Sequence, residues 1–309
     1  MQPQVSVVIP TYNRRVILEK ALGALGRQTI DPRFFEVVLI DDGSTDGTDE
    51  MVAALTPPYH LEYRRTERRG PAAARNLGIQ LARAELIIFI DSDIVVNETF
   101  VEAHRNAHTS DNLIGHGPVI HTDNLDDPTS AEFKVTDISR AFFATGNASI
   151  KKRWLIEAGF FDESFVEYGW EDLELGIRLR RLGLRAVKVP GARGYHYKRR
   201  LSAADVPHWC QRERERGHTA VAFYRKVPTL RVRLMTMLFP VTFWLDSLIT
   251  LGGWPDRPAT KRFLERLDQR GWHLALRFFV RLITFHWYVE GMREALRPPG
   301  AAGKSPGRS

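Results

Sequence analysis

The sequence predicts an α/β fold with a mainly parallel sheet flanked by helices. Short apolar runs typical of buried strands alternate with stretches whose apolar residues recur at helical spacing. Its composition, 43% hydrophobic and 26% charged over 309 residues, is that of a folded globular protein. Strands that alternate with helices in this way form parallel sheets with right-handed crossovers.

Four strands are predicted in the first third of the chain, at residues 5–10, 35–40, 61–66 and 85–90. The helix after the first strand has one apolar face, formed by Ile17, Leu18, Ala21, Leu22 and Leu25. Further helices are predicted at residues 49–55, 70–84 and 171–183, and a later strand at 186–190. The alternation weakens after about Gly115.

Three regions are predicted: an α/β domain at 1–227, a basic and apolar helical extension at 228–297, and a disordered tail at 298–309. The net charge of +7 lies wholly in residues 228–309, which carry 13 Lys/Arg against 6 Asp/Glu. Such an arm suits an anionic membrane surface or a nucleic acid.

The apolar segment 234–254 is interrupted by Pro240 and Asp246, so it is marginal as a spanning helix. Residues 272–297 mix aromatics with arginines, as interfacial amphipathic helices do. Two alternatives stay open for these helices: contact with an anionic membrane surface, or packing on the α/β domain. No RNA-binding motif accompanies the basic arm, so no nucleic-acid partner is expected.

The protein is expected in the cytoplasm. There it could be bound peripherally to the inner face of the membrane. Cys210 is the single cysteine, which excludes an internal disulfide and fits a reducing compartment. The N-terminal residues have no charged leader region and turn at once into a strand-like run.

Polar clusters follow three of the predicted strands, at residues 10–13, 41–44 and 91–93. In open α/β sheets, ligands bind outside the carboxyl ends of the strands. The three clusters therefore outline one predicted site. Asp41 and Asp42 suit either an acidic turn or hydrogen bonds to a base and a ribose.

Asp91 and Asp93 flank a serine at the end of a very apolar strand. Carboxylates beside a buried strand need a cation or dense hydrogen bonding to offset desolvation. Oxygen ligands select Mg²⁺ or Mn²⁺, which commonly complete their shell with substrate phosphates. Arg75 is predicted near the start of a helix, where its guanidinium could bind a phosphate. The alternative is an ordinary surface arginine. His196 is a further candidate metal ligand or an ordinary core histidine.

Six motifs occur in the order typical of family 2 glycosyltransferases, which residues 5–197 closely resemble. The motifs are VSVVIPTYNRR, LIDDGSTDGT, GPAAARNLG, FIDSD, ATGNASIKKRWLIEAGFFDESF and GWEDLELGIRLRRLG. The resemblance implies a GT-A fold, a nucleotide-diphosphate-sugar donor such as a UDP-sugar, a divalent Mn²⁺ or Mg²⁺ ion and inversion at the anomeric carbon. The expected acceptor is a glycan or a lipid-linked molecule, which the basic arm favours, while a protein and a small molecule stay open as alternatives.

The same resemblance implies roles for individual residues. It places one set at the nucleotide sugar: Pro10, Thr11, Tyr12, Asp41, Asp42, Arg75, Asn76, Asp91, Ser92 and Asn147. Asp93 is implied as a metal ligand, and His196 matches a late histidine that completes the metal shell in some relatives. Glu171 and Asp172 match the family's Glu-Asp pair, of which the second member commonly serves as the base.

Helix-end chemistry is the alternative explanation for Glu171 and Asp172. Acidic residues in a first helical turn and arginines in the last turn complement the helix dipole, and Gly183 suits a C-terminal cap. That dipole also predicts a lowered pKa for Asp172, which would keep it ionised.

Two further functions compete with sugar transfer. A nucleotidyltransferase that makes sugar nucleotides would carry a Gly-rich basic loop after the first strand, where this chain has PTYNRRV. A non-enzymatic membrane-associated scaffold would be expected to lose the Asp-x-Asp or Glu-Asp carboxylates, and both are present.

Overall fold

The computed structural model describes residues 2–134, 137, 141–251 and 253–297. The strands are β1 Val5–Thr11, β2 Phe35–Asp41, β3 His60–Arg65, β4 Leu86–Ile90, β5 Ile94–Val96, β6 Leu113–His116, β7 Val119–Thr122, β8 Asn147–Lys151, β9 Arg185–Lys188 and β10 Gly194–Tyr197. The helices are α1 Arg15–Leu25, α2 Thr48–Ala53, α3 Pro71–Leu81, α4 Phe100–Ala107, α5 Lys152–Glu157, α6 Glu171–Arg181, α7 Val206–Lys226, α8 Leu230–Met235, α9 Pro240–Ile249, α10 Pro258–Gln269 and α11 His273–Leu296. The predicted tail at 298–309 lies outside the described residues.

A seven-stranded sheet with the order β3-β2-β1-β4-β8-β6-β9 forms the centre of the first part of the chain. Strands β1, β2, β3 and β4 run parallel, as do β6 and β9. Strand β8 is antiparallel to both of its neighbours. The predicted α/β class with a mainly parallel sheet is confirmed, and β8 is the element that makes the sheet mixed.

The central strands β1, β2 and β4 are buried on both faces, which explains why they are largely apolar without alternation. In β1, Val7 and Ile9 belong to one hydrophobic cluster, while Val8 belongs to the other cluster. Successive side chains of a strand point to opposite faces, so β1, β2 and β4 each contribute to both clusters. The parallel strand ends are thereby held rigidly at one edge, where polar residues follow them.

A small second sheet has the order β5-β10-β7. Strand β10 is antiparallel to β5 and parallel to β7. In this register His196 pairs with Ile94 on one side and with His121 on the other. The sheet thus brings the late histidine to the residue that directly follows Asp93.

The chain divides into two compact units, residues 1–166 with 171–199 and residues 167–170 with 200–309. This boundary differs from the predicted one at 227–228. The reason is that α7 packs closely along α11, with the backbones touching where Gly217 meets Gly291. No side chain fits at either glycine, because a Cβ there would collide with the backbone of the facing helix.

Among the described residues, one stretch has the length and mean hydropathy (1.4) of a membrane span, Leu230–Ile249. The chain forms two separate helices there, α8 and α9, because it leaves the helical path between them and Met237 has a positive φ of 54°. The ten residues of α9 extend about 15 Å, half of a hydrocarbon core of about 30 Å.

Candidate active site

The sheet order places the ends of β2, β1 and β4 side by side. Asp41 ends β2, Thr11 ends β1, and Asp91 follows β4. The backbone N–H of Asp42 donates to the carbonyl of Thr11 at 2.9 Å, which joins the first two ends directly. The three polar clusters therefore share one edge of the sheet, as the strand pattern predicts.

Asp41 and Asp42 accept hydrogen bonds from the loops around them. The Asp41 carboxylate accepts from the backbone N–H of Ser44 and from the Tyr63 hydroxyl, both at 2.8 Å. The Asp42 carboxylate accepts from the consecutive N–H groups of residues 69–70 at 2.7 and 2.9 Å. Both predicted donor-binding carboxylates thus shape the turns at the strand end, and both are buried.

The end of β1 continues into an aromatic residue at the rim. Pro10 and Thr11 close the strand, and the Thr11 hydroxyl is buried without a hydrogen-bond partner among the described residues. The exposed Tyr12 ring carries the Arg68 guanidinium 4.3 Å from its centroid. A stacking surface and a cation therefore stand together beside the strand ends.

A buried ion cluster joins three distant elements. Arg75 of α3 donates from Nη1 to Glu171 Oε1 at 2.9 Å and from Nη2 to Asp91 Oδ1 at 3.0 Å. Burial by itself lowers the pKa of Arg75, but Glu171 and Asp91 outweigh it, so the pKa is raised and the guanidinium stays charged. Arg75 Nε and Glu171 Oε2 are buried without partners among the described residues, which leaves hydrogen-bonding capacity for a ligand.

Asp172 lies beside this cluster in the first turn of α6. Burial and the neighbouring Glu171 carboxylate raise its pKa to about 7, against the opposing effects of Arg75 and of the Leu173 N–H. That N–H donates to Asp172 Oδ1 at 2.8 Å. The expectation of a lowered pKa is therefore wrong, because burial and a like charge exceed the favourable helix-end interactions.

The pH dependence of catalysis follows from this pKa. If Asp172 must be ionised to accept a proton, kcat/KM falls as pH drops through about 7, and Glu171→Gln moves that fall to lower pH because it removes the like charge. The measurement is a kcat/KM–pH profile of both proteins. Glu163→Gln is the control, since it removes a carboxylate that binds Arg69 and Asn76 instead. An unmoved acid limb in Glu171→Gln contradicts the assignment.

Asp93 and His196 come together where β5 and β10 pair. His196 Nε2 lies 3.3 Å from Asp93 Oδ2, and both side chains are mostly buried. Two adjacent ligands of an octahedral ion with bonds of about 2.1 Å stand about 3 Å apart, so the spacing fits a shared divalent ion. Ser92 is buried between the two aspartates, and His121 lies beside His196 with 5.3 Å between ring centroids.

Asn76 has its amide engaged away from any ligand. Its Nδ2 donates to the Phe161 carbonyl at 2.9 Å and to Glu163 Oε1 at 3.0 Å, and its Oδ1 accepts from the Phe161 N–H at 2.9 Å. Both N–H donors of the amide are therefore used. Asn76 therefore attaches α3 to the loop before α6. Its side chain has no free N–H group with which to make the predicted contact to a nucleotide sugar.

Asn147 is likewise part of an internal network. Its Nδ2 donates to two backbone carbonyls at 2.9 and 3.0 Å, and its Oδ1 lies 2.8 Å from His104 Nε2. His104 Nδ1 and His108 Nε2 each lie 2.8 Å from the Ser149 hydroxyl. Burial lowers the pKa of His104 to about 3, so it is neutral. The sequence signal for this network is the i, i+4 pair of histidines, which by itself resembles a metal motif.

Residues 167–170, which directly precede α6 in the chain, belong to the second compact unit. There the Trp170 indole N–H donates to the Arg216 carbonyl at 3.0 Å, and the ring stacks on Phe223. Gly169 and Trp170 have positive φ angles of 108° and 72°. The sequence pattern missed Arg216 and Phe223, because nothing local to them indicates their contact with the Gly-Trp pair.

One other cluster of possible metal ligands occurs in the described part of the chain, formed by Asp246, His286 and Glu290. Asp246 is fully buried, and Arg293 Nη1 lies 2.6 Å from its Oδ2. Arg293 also contacts Glu290. Because the guanidinium already supplies a positive charge there, this cluster is an ion-pair network.

A family model described as Glycosyl transferase family 2 matches residues 6–161. The chain is 33% identical to validoxylamine A glucosyltransferase of Streptomyces hygroscopicus subsp. limoneus over 59% of this chain and 49% of that protein. It is also 33% identical to a chondroitin synthase of Escherichia coli over 62% of this chain and 34% of that protein. The chain thus spans about half, or less, of the length of these relatives.

Among solved structures, the chain is similar to the mannosyltransferase PcManGT from Pyrobaculum calidifontis in complex with GDP-Man and Mn²⁺. The TM-score is 0.59 at 20% identity, over 96% of this chain and 88% of that one. It is also similar to S. aureus TarS 1-349 in complex with UDP-GlcNAc, with a TM-score of 0.53 at 18% identity over 94% and 91% of the two chains. At this identity the likeness establishes the GT-A fold.

Proposed function

Because this chain belongs to glycosyl transferase family 2, we propose that it moves a sugar from a nucleotide-diphosphate sugar to a hydroxyl acceptor, with inversion at the anomeric carbon. The observation that carries the proposal is Asp172, a carboxylate with its pKa raised to about 7 beside the buried Arg75–Glu171–Asp91 cluster. A general base works best when its pKa is near the working pH, because a large fraction of it is then ionised while it still binds a proton well.

The acceptor hydroxyl attacks C1 of the sugar from the face opposite the diphosphate. The new O–C1 bond forms as the C1–O bond to the diphosphate breaks, and Asp172 takes the hydroxyl proton. Asp172 Oδ1 already accepts the Leu173 N–H, so Oδ2 is the oxygen assigned to the proton. Glu171 Oε2, which is buried without a partner among the described residues, is suited to a sugar hydroxyl.

We assign the donor's nucleoside to the rim at Tyr12 and Arg68, beside the ends of β1 and β2. The ring offers a stacking surface, and the remaining lone pairs of Asp41 and Asp42 accept from base and ribose donors. A UDP-sugar is the proposed donor. TarS was solved with UDP-GlcNAc and the mannosyltransferase with GDP-Man, so both nucleotides belong in the test.

Asp93 and His196 fit a divalent ion, and their mixed oxygen and nitrogen donors favour Mn²⁺ over Mg²⁺. When bound, such an ion neutralises the charge that develops on the departing diphosphate. The protein's part is to hold the carboxylate and the imidazole 3.3 Å apart through the pairing of β5 with β10.

We expect Asp93→Ala and His196→Ala each to weaken the binding of UDP in the presence of Mn²⁺ by about ten-fold or more, because each removes one ligand of the ion. Isothermal titration calorimetry with and without Mn²⁺ measures the effect. Asp123→Ala, at an exposed carboxylate, is the control. Equal Mn²⁺-dependent binding in the wild type and both variants contradicts the metal assignment.

The reaction class is tested by screening UDP-, GDP- and dTDP-sugars for metal-dependent binding and slow hydrolysis. Release of free sugar and nucleoside diphosphate supports the transferase. Consumption of a nucleoside triphosphate with release of pyrophosphate supports a nucleotidyltransferase instead. Failure to bind any sugar nucleotide favours the non-enzymatic scaffold and overturns the proposal.

We propose a cell-surface glycan or lipid-linked glycan as the acceptor, met at the inner face of a membrane. The support is the glycan synthases among the relatives and the +7 charge of residues 228–309. An excess of Lys and Arg attracts a protein to anionic lipid headgroups. A soluble short glycan and a lipid-linked one, compared as acceptors with and without vesicles, separate the two forms of this proposal.

A further inference from the structure

Helix α9 has its apolar side facing outward. Val241, Trp244, Leu245 and Leu248 are exposed, with Trp244 at 62%, and Leu251 just beyond the helix is 69% exposed. These positions recur at the spacing of one helical face. The opposite side carries Thr242 and Asp246, which are buried. A helix at a water-facing surface normally has the reverse arrangement.

Buried polar contacts hold α9 in this orientation. Asp246 is fully buried and pairs with Arg293 at 2.6 Å and with His286 at 3.0 Å, both on α11. The Arg293 guanidinium also donates to the Phe243 carbonyl at 3.0 Å. Turning the apolar face inward would break this network and leave a buried carboxylate unpaired, so the outward face is specified by the structure.

The segment just before α9, made of α8 and the residues that follow it, also exposes apolar side chains. Leu230, Leu234 and Met237 are exposed at a spacing of four and three residues, while Val232 and Thr236 between them are buried. We define the outward face as these three residues together with the five exposed apolar residues of the α9 segment. Eight large apolar side chains are therefore exposed between residues 230 and 251.

The charge of the surrounding segment selects the kind of partner. From residue 225 to residue 245 there is no acidic residue, and four basic ones precede or lie within α8: Arg225, Lys226, Arg231 and Arg233. The first acid, Asp246, points inward to Arg293. A cationic margin beside an apolar face is complementary to anionic headgroups above acyl chains.

We propose that the outward face of α8 and α9 docks the protein onto an anionic lipid bilayer, entering one leaflet without crossing it. Both helices are too short to span, and the buried Asp246 network keeps the opposite side against α11. This proposal identifies the residues that make the membrane contact suggested under the proposed function. It does not depend on turnover.

The test is co-sedimentation with vesicles of phosphatidylcholine alone and of phosphatidylcholine mixed with phosphatidylglycerol. We expect preferential binding to the anionic vesicles. Trp244→Glu combined with Leu248→Glu lowers the partition coefficient by about ten-fold or more, because charges replace the inserted side chains. Arg231→Glu lowers it by about five-fold or more on anionic vesicles only. Ile156→Glu, an exposed apolar residue of α5, leaves it unchanged.

Circular dichroism and thermal melting verify that these surface variants fold, and the milder Leu248→Ser serves if the double variant does not. Equal vesicle binding by the wild type and the α9 variants overturns the proposal. A second result would also overturn it: a dimer in the absence of lipid, detected by analytical ultracentrifugation and abolished by the α9 variants. The outward face would then bind a second copy of the chain. Vesicle binding is measured without substrate, so a failed sugar-nucleotide screen and a failed docking test remain distinguishable.

Discussion

We expect Asp172→Asn to lower kcat by about 10²–10⁴-fold, the range that general-base catalysis typically contributes. The amide keeps the size of the carboxylate but cannot accept the proton of the acceptor hydroxyl. Binding of the donor and of the divalent ion should be retained, because those roles are assigned to other residues. Steady-state kinetics and calorimetry with UDP and Mn²⁺ measure the two effects separately.

The same variant should be more stable than the wild type in alkaline solution. The pKa of Asp172 is raised from 3.8 to about 7, so the stability that this group contributes is full below pH 3.8 and is lost as pH rises through about 7. The amide in the variant carries no charge and does not show this loss. The melting temperature of Asp172→Asn should therefore exceed that of the wild type at pH 8 and approach it at pH 4.

Two results would contradict the role of Asp172. Turnover close to that of the wild type in Asp172→Asn excludes it as the base, and a parallel loss of donor binding indicates a structural role instead. Asp123→Asn, at an exposed loop aspartate, is a matched control for the change of carboxylate to amide. It should leave both kcat and the pH dependence of melting unaltered.

The second large effect is expected on stability, from Arg75→Met. Removing one partner of a buried ion pair leaves an uncompensated charge and costs about 3–5 kcal/mol of unfolding free energy. Here the side chains of Arg75 and Glu171 are each 7% exposed, and Asp91 loses its contact with the guanidinium as well. Urea denaturation followed by tryptophan fluorescence measures the loss.

A double-mutant cycle isolates the pairing itself. Arg75→Met combined with Glu171→Gln should cost clearly less than the sum of the single changes, since the second substitution removes the charge that the first leaves unpaired. Arg75→Lys is the control for charge alone, because one ammonium cannot present the two nitrogens that reach Glu171 and Asp91 at 2.9 and 3.0 Å. Additive effects, or a loss below about 1 kcal/mol for Arg75→Met, contradict the cluster's assigned role.

Much of the first compact unit could be predicted because its signals are local. The apolar run of β4 and the polar residues after it are contiguous, and the spacing of Leu18, Leu22 and Leu25 in α1 needs no partner to be recognised. The polar ends of β1, β2 and β4 fall on one edge because parallel strands share their direction. Family motifs added the expected roles of Asp172, Asp93 and His196.

The second compact unit was harder to predict. The composition of residues 228–297 indicated apolar, basic helices, but it left open which faces they bury. The boundary at residues 199–200 depends on how α7 packs on α11, and the exposed side of α9 depends on Asp246 reaching Arg293, 47 residues away. Neither contact leaves a periodic trace in the local sequence.

The sequence by itself determined the α/β class, the edge of the sheet that carries the polar clusters, and the acidic start of α6. Strand and helix patterns depend on neighbours a few residues apart, which the chain order contains. Only the tertiary structure decided that Asp172 has a raised pKa, that Asn76 and Asn147 are held by internal hydrogen bonds, and that α9 exposes its apolar face. Those properties depend on burial and on charges brought together from distant positions, such as Arg75 and Glu171, 96 residues apart.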